Sequence, residues 1–242
     1  MKTNEKKDRK YSSLKVILPI VILLVLLFSS FAVYQVIRTR AGKDEKVVAL
    51  IPYRKGDKWG FCNRDQKMVI PTVYDSVDLF SEGLAQVHLN GKQGYIDTKG
   101  TMVIPAAYDD GGSFIEGLAA VGLDGKWGYI DTKGTMVIPA VYDWANPFSE
   151  GLAPVHLNSK WGFVDTKGKM VIPATYDNAL PFSDGLARVE VDGKFGFIDT
   201  KGKMAIPAAY DGAGPFGDGL AGVVLNGREG YIDTKGTRYW ED

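Results

Sequence analysis

A glycine recurs every 34 residues through most of the chain, and this spacing constrains the fold more than any other feature. The six glycines are Gly60, Gly94, Gly128, Gly162, Gly196 and Gly230. Around two of them the identical string GYIDTKGTMVIPA occurs, beginning at Gly94 and again at Gly128. Self-similarity at a fixed period predicts a tandem array, in which each unit buries its apolar face against its neighbours.

Within each unit, the apolar residues follow a period of two. Ala85, Val87 and Leu89 are apolar, and the corresponding positions of most other units are apolar as well. The positions between them vary freely from unit to unit. A recurring Ile-Pro and several fixed glycines would break a helix in every unit, which excludes a tetratricopeptide-like helical repeat. The pattern predicts a β-strand with one buried and one exposed face.

Turn signals divide each unit into three strands. An Asn-Gly pair at 90–91 favours a type I′ hairpin, because both central residues of that turn need a positive φ. A second strand at 94–96 leads into Asp-Thr-Lys-Gly at 97–100, where the aspartate can accept bonds from amides further along the turn. The third strand, 102–104, is expected to end at Pro105, which has no amide to donate. Each unit is therefore predicted to be a three-stranded antiparallel meander.

The fold class that follows is an all-β array of six 34-residue units in residues 47–242, preceded by one transmembrane α-helix. The first and last units diverge as caps do: Gln66 replaces a turn glycine, and Arg238 replaces the repeating methionine, with the third strand lost or shortened. No half-unit at either end offers a strand for sharing a sheet between the termini. We therefore expect an open, curved array, and the alternative is a closed, propeller- or toroid-like ring.

An apolar segment precedes the repeats. Residues 16–36 read VILPIVILLVLLFSSFAVYQV, and as a helix these 21 residues span about 31 Å, close to the hydrocarbon thickness of a bilayer. We predict a basic tail at 1–15, a transmembrane helix at 16–37 and a linker at 38–46. The alternative is a cleaved signal peptide, with Ser-Phe-Ala at 30–32 as its small-x-small site.

Cations flanking the apolar segment predict its orientation. Six lysines and arginines precede the segment and three follow it, which favours a cytoplasmic N-terminus. The sequence thus predicts a single-pass protein of the cell membrane that is in contact with the lipid bilayer through residues 16–37. The repeat domain would be extracytoplasmic.

Charge and composition exclude several classes of function. Residues 1–43 hold nine Lys/Arg and two Asp/Glu, whereas the remainder holds 20 and 27. Because phosphate binding needs clustered cations, the acidic repeats argue against a nucleic-acid partner. Cys62 is the single cysteine and stands where other units have isoleucine or valine, so we predict a small buried residue and no nucleophile.

One succession of short motifs recurs along the chain: Lys-Trp-Gly, Tyr/Phe-Ile-Asp-Thr-Lys-Gly, Val-Ile-Pro, Tyr-Asp and Phe-Ser-Glu-Gly-Leu-Ala. It resembles the WG (or KWG) repeat family of bacterial proteins over about residues 47–240. The Trp-Gly pair is retained at 59–60, 127–128 and 161–162, and the tryptophan is replaced by Gln93, Phe195 and Glu229. The resemblance implies a bacterial β-repeat module, frequently attached to envelope or secreted proteins, and it implies no catalytic residues.

Two sets of residues are candidates for ligand contact. The first is the aromatic set that precedes the repeating glycine: Trp59, Trp127, Trp161 and Phe195. These rings would stack on a sugar or grip a peptide, or else pack against the neighbouring unit with only a rim exposed. The second set occupies variable strand positions that are expected to point outward: Gln86, His88, His156, Arg188 and Glu190.

The remaining chemistry of the repeats is explained by turns. The recurring aspartates suit backbone turns, and no calcium-loop motif accompanies them. His88 and His156 occupy equivalent positions two units apart, so neither a metal site nor any cofactor is predicted. The expected function is a non-enzymatic, membrane-anchored scaffold that mediates protein–protein interaction at the bacterial cell envelope. The alternative is a cell-wall carbohydrate-binding module that uses the repeated aromatic residues.

Overall fold

The computed structural model describes residues 50–241, and all of its regular elements are β-strands. The described residues belong to one compact unit, Ala49–Asp242. The predicted tail, transmembrane helix and linker at 1–46 therefore lie outside the described residues. Within the described part, no helix is long and apolar enough to cross a membrane.

The strands form six antiparallel sheets, one for each unit of the repeat. The first sheet contains β1 (Ile51–Lys55), β2 (Lys58–Cys62) and β3 (Met68–Tyr74). The second contains β4 (Ser76–Val77), β5 (Leu84–Leu89), β6 (Lys92–Asp97) and β7 (Met102–Tyr108). The third contains β8 (Asp110–Gly111), β9 (Leu118–Leu123), β10 (Lys126–Asp131) and β11 (Met136–Tyr142).

The remaining three sheets repeat this plan until the chain's last unit, which is shortened. The fourth contains β12 (Trp144–Ala145), β13 (Leu152–Leu157), β14 (Lys160–Asp165) and β15 (Met170–Tyr176). The fifth contains β16 (Asn178–Ala179), β17 (Leu186–Val191), β18 (Lys194–Asp199) and β19 (Met204–Tyr210). The sixth contains β20 (Gly212–Ala213), β21 (Leu220–Leu225) and β22 (Arg228–Asp233).

The three-stranded meander was incomplete as a prediction. Sheets two to five have a fourth, two-residue strand that pairs with the first long strand, as Ser76 and Val77 pair with His88 and Val87. The sixth sheet also has the short strand but lacks the last long one, which confirms the predicted loss at the C-terminal cap. Only an isolated bridge between Ile232 and Arg238 remains there.

The third long strand does not end at its proline, contrary to the prediction. In the second sheet β7 continues through Pro105 to Tyr108, and its register against β6 shifts around Tyr95. A proline is tolerated at such an irregularity on an edge strand, because no ladder bond needs its missing amide. Gly94 faces this bulge: a Cβ there would lie 2.6 Å from the amide nitrogen of Ala106 and from the carbonyl oxygen of Ile104. The repeating glycine thus lies where two strands approach each other too closely to leave space for a Cβ.

Successive sheets pack face to face. Each of the five core clusters within residues 50–241 joins two consecutive sheets, and none of them joins the sixth sheet to the first. Between the third and fourth sheets, for example, Tyr129 and Ile138 pack with Val155 and Val164. The described array is therefore open, as the sequence predicted. Both faces of an internal sheet are covered, so the predicted division into one buried and one exposed face was wrong for these sheets.

The hairpin between the first two long strands has the predicted type I′ geometry. Asn90 and Gly91 have φ values of 54° and 77°. In the fourth unit the second turn residue is Ser159, which also has a positive φ, of 64°. A side chain in this conformation is strained, because its Cβ approaches the backbone.

Substituting Ser159→Gly is therefore expected to stabilise the protein by about 1 kcal/mol. Chemical denaturation of the variant and the parent measures the difference. The reciprocal change, Gly91→Ser, is expected to destabilise by a similar amount. Equal midpoints for Ser159→Gly and the parent would contradict the strain argument.

An ion pair recurs beside this hairpin. Lys126 Nζ lies 2.6 Å from Asp143 Oδ1, and four other units place a lysine and an aspartate 17 residues apart in the same contact: Lys58–Asp75, Lys92–Asp109, Lys160–Asp177 and Lys194–Asp211. The other carboxylate oxygen accepts a hairpin amide, as in the 2.8 Å bond from Asp124 N to Asp109 Oδ2. The hydrogen bond from the lysine lowers the pKa of each of these aspartates.

These lowered pKa values give a pH dependence with a defined sign. A carboxyl group whose pKa is lower in the folded state stabilises the fold above its unfolded pKa of about 3.9, and this contribution is lost as the pH falls through the folded value. We therefore expect a nearly constant urea midpoint between about pH 7 and pH 5, and a decline below about pH 4. Asp109→Asn is expected to make the decline shallower. An unchanged profile in that variant would show that the pairs are irrelevant to acid stability.

Candidate functional site

In sheets two to six, the short strand and the first two long strands each place one residue at the same level of the hydrogen-bonded ladder. Residues directly opposite each other in an antiparallel ladder present their side chains on the same face. We call the residues at this level the variable row: Ser76, His88 and Gln93; Asp110, Gly122 and Trp127; Trp144, His156 and Trp161; Asn178, Glu190 and Phe195; Gly212, Val224 and Glu229. No position of the row keeps one residue type throughout, in contrast to the core.

The variable row unites the two sets of candidates that the sequence keeps apart. His156 lies opposite Trp161, with 5.2 Å between the ring centroids, and Glu190 lies opposite Phe195. His88 lies opposite Gln93 in the same way. In the first sheet, Trp59 lies opposite Arg54, whose guanidinium carbon is 5.9 Å from the ring centroid.

The four aromatic candidates are half-buried, and three of them pack on the cores between sheets. Trp127 packs on the core between the third and fourth sheets, and its ring centroid lies 4.6 Å from that of Trp144. Trp161 and Phe195 pack on the next two cores in the same manner. The rings are thus held in place by the fold, while their remaining surface stays open to solvent.

Two of the predicted outward residues lie between sheets instead. Gln86 is only 7% exposed, and its Nε2 donates a hydrogen bond of 3.0 Å to the carbonyl of Gly111 in the next sheet. The prediction for Gln86 failed because the next sheet covers the second face of the strand. Its side chain also reaches Gln93 of the variable row.

Arg188 occupies the equivalent position in the fifth sheet and is half-buried. Its Nη1 donates to the carbonyl of Ala213 at 2.9 Å, and its Nη2 donates to Asn178 Oδ1 at 3.0 Å. The guanidinium carbon lies 4.8 Å from the ring centroid of Phe195, so Arg188 packs against a residue of the variable row. Burial lowers the pKa of this guanidinium, although the group remains cationic at neutral pH.

Trp144 is the residue of the site that sequence reasoning missed. It begins the short strand of the fourth sheet, lies opposite His156 and is 46% exposed. Its Nε1 donates to Asn146 Oδ1 at 3.3 Å. Trp127, Trp144, His156 and Trp161 together form what we call the aromatic cluster. The signal was available, because the first position of the short strand changes in every unit, whereas the residue before it is always aspartate.

Neither the histidines nor the cysteine lies in a metal-binding group. His156 Nδ1 is 3.7 Å from Asp143 Oδ2, and His88 Nδ1 is 3.9 Å from Asp75 Oδ2. Among residues 50–241, no group of three or more His, Cys, Asp or Glu side chains is arranged to hold a metal ion. Cys62 is buried, as its position in the repeat predicted.

The fold and the variable row define a β-repeat protein whose constant framework carries a changing surface. Five units match the model of the WG containing repeat, at residues 59–92, 94–127, 127–161, 161–195 and 195–228. The chain therefore belongs to the WG repeat family. No curated protein matches its sequence.

Solved structures resemble the array at low sequence identity. One, described as the crystal structure of the eukaryotic initiation factor, has a TM-score of 0.55 and 13% identity over 80% of this chain and 63% of that chain. Kluyveromyces lactis Hsv2 matches with a TM-score of 0.49 and 9% identity, over 77% of this chain and 71% of that chain. The dihydro-heme d1 dehydrogenase NirN in complex with DHE matches with a TM-score of 0.49 and 14% identity, over 83% of this chain and 54% of that chain. The first match shows that the fold is β-propeller-like.

Proposed function

We propose that the chain is a non-enzymatic scaffold that binds a protein partner through the variable row. The observation that carries this proposal is the contrast between framework and row. Alanine and valine at the core positions of the first long strand are at most 3% exposed in sheets two to six, whereas the row changes from sheet to sheet. A surface whose residues are free to change on a constant support is suited to specific recognition.

The composition of the row suits a protein partner. Tryptophan and histidine alternate with acidic, amide and small residues along the array, which combines large contact anchors with hydrogen-bonding groups. Because Trp127 and Trp161 are already packed on cores, little side-chain freedom remains to be lost on binding. The fourth sheet, with its exposed Trp144, would form the centre of the contact.

The cellular setting is part of the same proposal. The apolar run within residues 16–37 and the surplus of cations before it support a membrane anchor, with the repeats outside the cytoplasm of a bacterial cell. Alkaline extraction of membranes and protease treatment of intact spheroplasts test this setting. Release into the soluble fraction, or protection of the repeats in spheroplasts, would contradict it.

Site-specific photocrosslinking tests the binding surface. A benzophenone amino acid replaces Trp144 in the full chain, expressed in its own host, and the control replaces Val141, which is similarly exposed at 51% on an edge strand outside the row. We expect a discrete protein adduct from position 144 and none from position 141. Equal adducts from both positions, or none from either, would count against the variable row.

Carbohydrate binding is a second candidate, which the aromatic cluster favours. Trp144 and Trp127 present neighbouring rings, and one of them is nearly half exposed, as is usual where a sugar stacks. Co-sedimentation of the full chain with cell-wall sacculi, in detergent and at high salt, separates the two candidates. Salt-resistant pelleting that Trp144→Ala abolishes and Val141→Ala preserves would favour the glycan.

A further inference from the structure

The five internal interfaces of the array share one construction. We call the side of a sheet that packs on the following unit its forward face, and the opposite side its backward face. At the third interface the forward face supplies Leu118, Tyr129 and Ile138, and the backward face of the next sheet supplies Ala153 and Val155. The other four interfaces use equivalent residues. Any sheet with a forward face can therefore accept any sheet with a matching backward face.

The sixth sheet presents its forward face to solvent. Tyr231 is 60% exposed, whereas the tyrosine or phenylalanine at its position is at most 1% exposed in each of the other five sheets. Leu220 is 43% exposed, and its equivalents in sheets two to five are buried. This face keeps the leucine and the tyrosine of an internal interface but not the isoleucine of the third long strand, which the sixth sheet lacks, and no neighbouring sheet covers it within the described residues.

The first sheet presents its backward face in the same way. Ile51 is 42% exposed and Tyr53 is 36% exposed, although their equivalents in the second sheet, Ala85 and Val87, are fully buried. Cys62, on the second strand of this sheet, stands where Ile130 contributes to the interface between the second and third sheets. The two ends of the described array thus display the two complementary halves of one interface.

The side chains of the two end faces differ in size from those of internal faces, and they differ in opposite ways. Ile51 and Tyr53 are larger than the alanine and valine that other backward faces use. Gly222, on the sixth sheet, is smaller than its equivalents, which are Gln86, Ala120, Pro154 and Arg188. Extra volume on one face and missing volume on the other suit a tightly packed contact between them.

Charge is complementary between the two end units as well. Residues 51–74 contain five Lys/Arg and two Asp/Glu, and residues 212–242 contain three Lys/Arg and five Asp/Glu. A cationic first sheet and an anionic last sheet attract each other, whereas two copies of either one repel.

We propose that a second copy of this chain is the partner of each end face, so that the sixth sheet of one copy packs on the first sheet of the next. The contact is heterologous, because it joins two different surfaces, and it continues the sheet stack from one copy to another. On the sixth sheet, Val224 and Glu229 of the variable row lie along one edge of the same forward face. The pairing is argued from the end faces and does not depend on the function proposed above. An assembly of this kind would present one row of binding surface along many units.

Two single substitutions test the pairing. Tyr53→Asp blocks only the first sheet and Tyr231→Asp blocks only the sixth, and both residues are exposed enough for the copy itself to fold. Val141→Asp, on the exposed edge strand of the third sheet, is the matched control. The full chain is studied by sedimentation velocity in a detergent matched to the solvent density, at low and high micromolar concentration.

We expect the parent chain and Val141→Asp to form species that grow with concentration, and each end variant alone to remain monomeric. A buried aspartate would weaken the association by roughly tenfold or more. An equimolar mixture of the two end variants would form a dimer that grows no further, since each supplies the face that the other lacks. A parent that stays monomeric at every concentration, an end variant that still self-associates, or a mixture without dimer would each overturn the proposal.

Discussion

Replacing Gly162 with alanine is expected to destabilise the protein by about 3 kcal/mol or more, which is at the severe end for a single methyl group. The added Cβ would lie 2.6 Å from the carbonyl oxygen of Ile172 and 2.7 Å from the amide nitrogen of Ala174. Both atoms belong to the backbone of the paired strand, so no rotamer change relieves the contact. The fourth sheet would have to separate from its bulged strand. Urea unfolding, followed by far-UV circular dichroism and tryptophan fluorescence, measures the loss.

Two other glycines provide controls for this prediction. Gly112 has open space around its Cβ position and no positive φ, so Gly112→Ala is expected to change stability by less than about 0.5 kcal/mol. Gly230 is the sixth member of the repeating series, but its Cβ would meet the side chain of Trp240 instead of backbone. Since that ring is able to move, Gly230→Ala is expected to cost less than Gly162→Ala. Similar losses for all three variants would refute the bulge as the reason for the repeat.

The repeat itself was predictable, whereas the reason for its central glycine was not. Identical spacing, hairpin signals and a period of two are local properties of the sequence, and they led to the all-β class of the repeat domain and to its family. The close approach at Gly94 arises because the register shifts opposite Pro105, and a register is a relation between strands that no single segment records. The same limit led to a strand that was predicted to end too early.

The sequence predicted several residues of the candidate site but not how they lie relative to each other, for a related reason. His156 and Trp161 were both identified, but only the ladder shows that they lie directly opposite each other. Gln86 was misplaced because alternation predicts two faces without saying what covers the second one. A stack of sheets buries both, so the position of a strand in the stack decides the exposure of its side chains. Trp144 was overlooked because two residues are too few for a period to be visible.

Replacing Phe163 with alanine is expected to cost about 3–5 kcal/mol, because its ring is fully buried between the fourth and fifth sheets. The ring centroid lies 5.0 Å from that of Phe182, in a tilted contact that a smaller residue does not reproduce. In an array that contacts only neighbours, the lost interface also weakens the coupling between units one to four and the last two. We expect a lower urea midpoint and a broader transition.

The matched variant is Tyr231→Ala, at the same position of the repeat in the sixth sheet. Its side chain is 60% exposed, so the expected loss in a monomeric sample is below about 1 kcal/mol. The two variants share their place in the sequence unit, whereas the sixth sheet has no further sheet after it within the described array and lacks the third long strand. A large difference would show that stacking of neighbouring sheets, more than the strand itself, stabilises each unit. Equal losses would mean that each sheet is stable by itself and that the interfaces contribute little, which contradicts the packing described above.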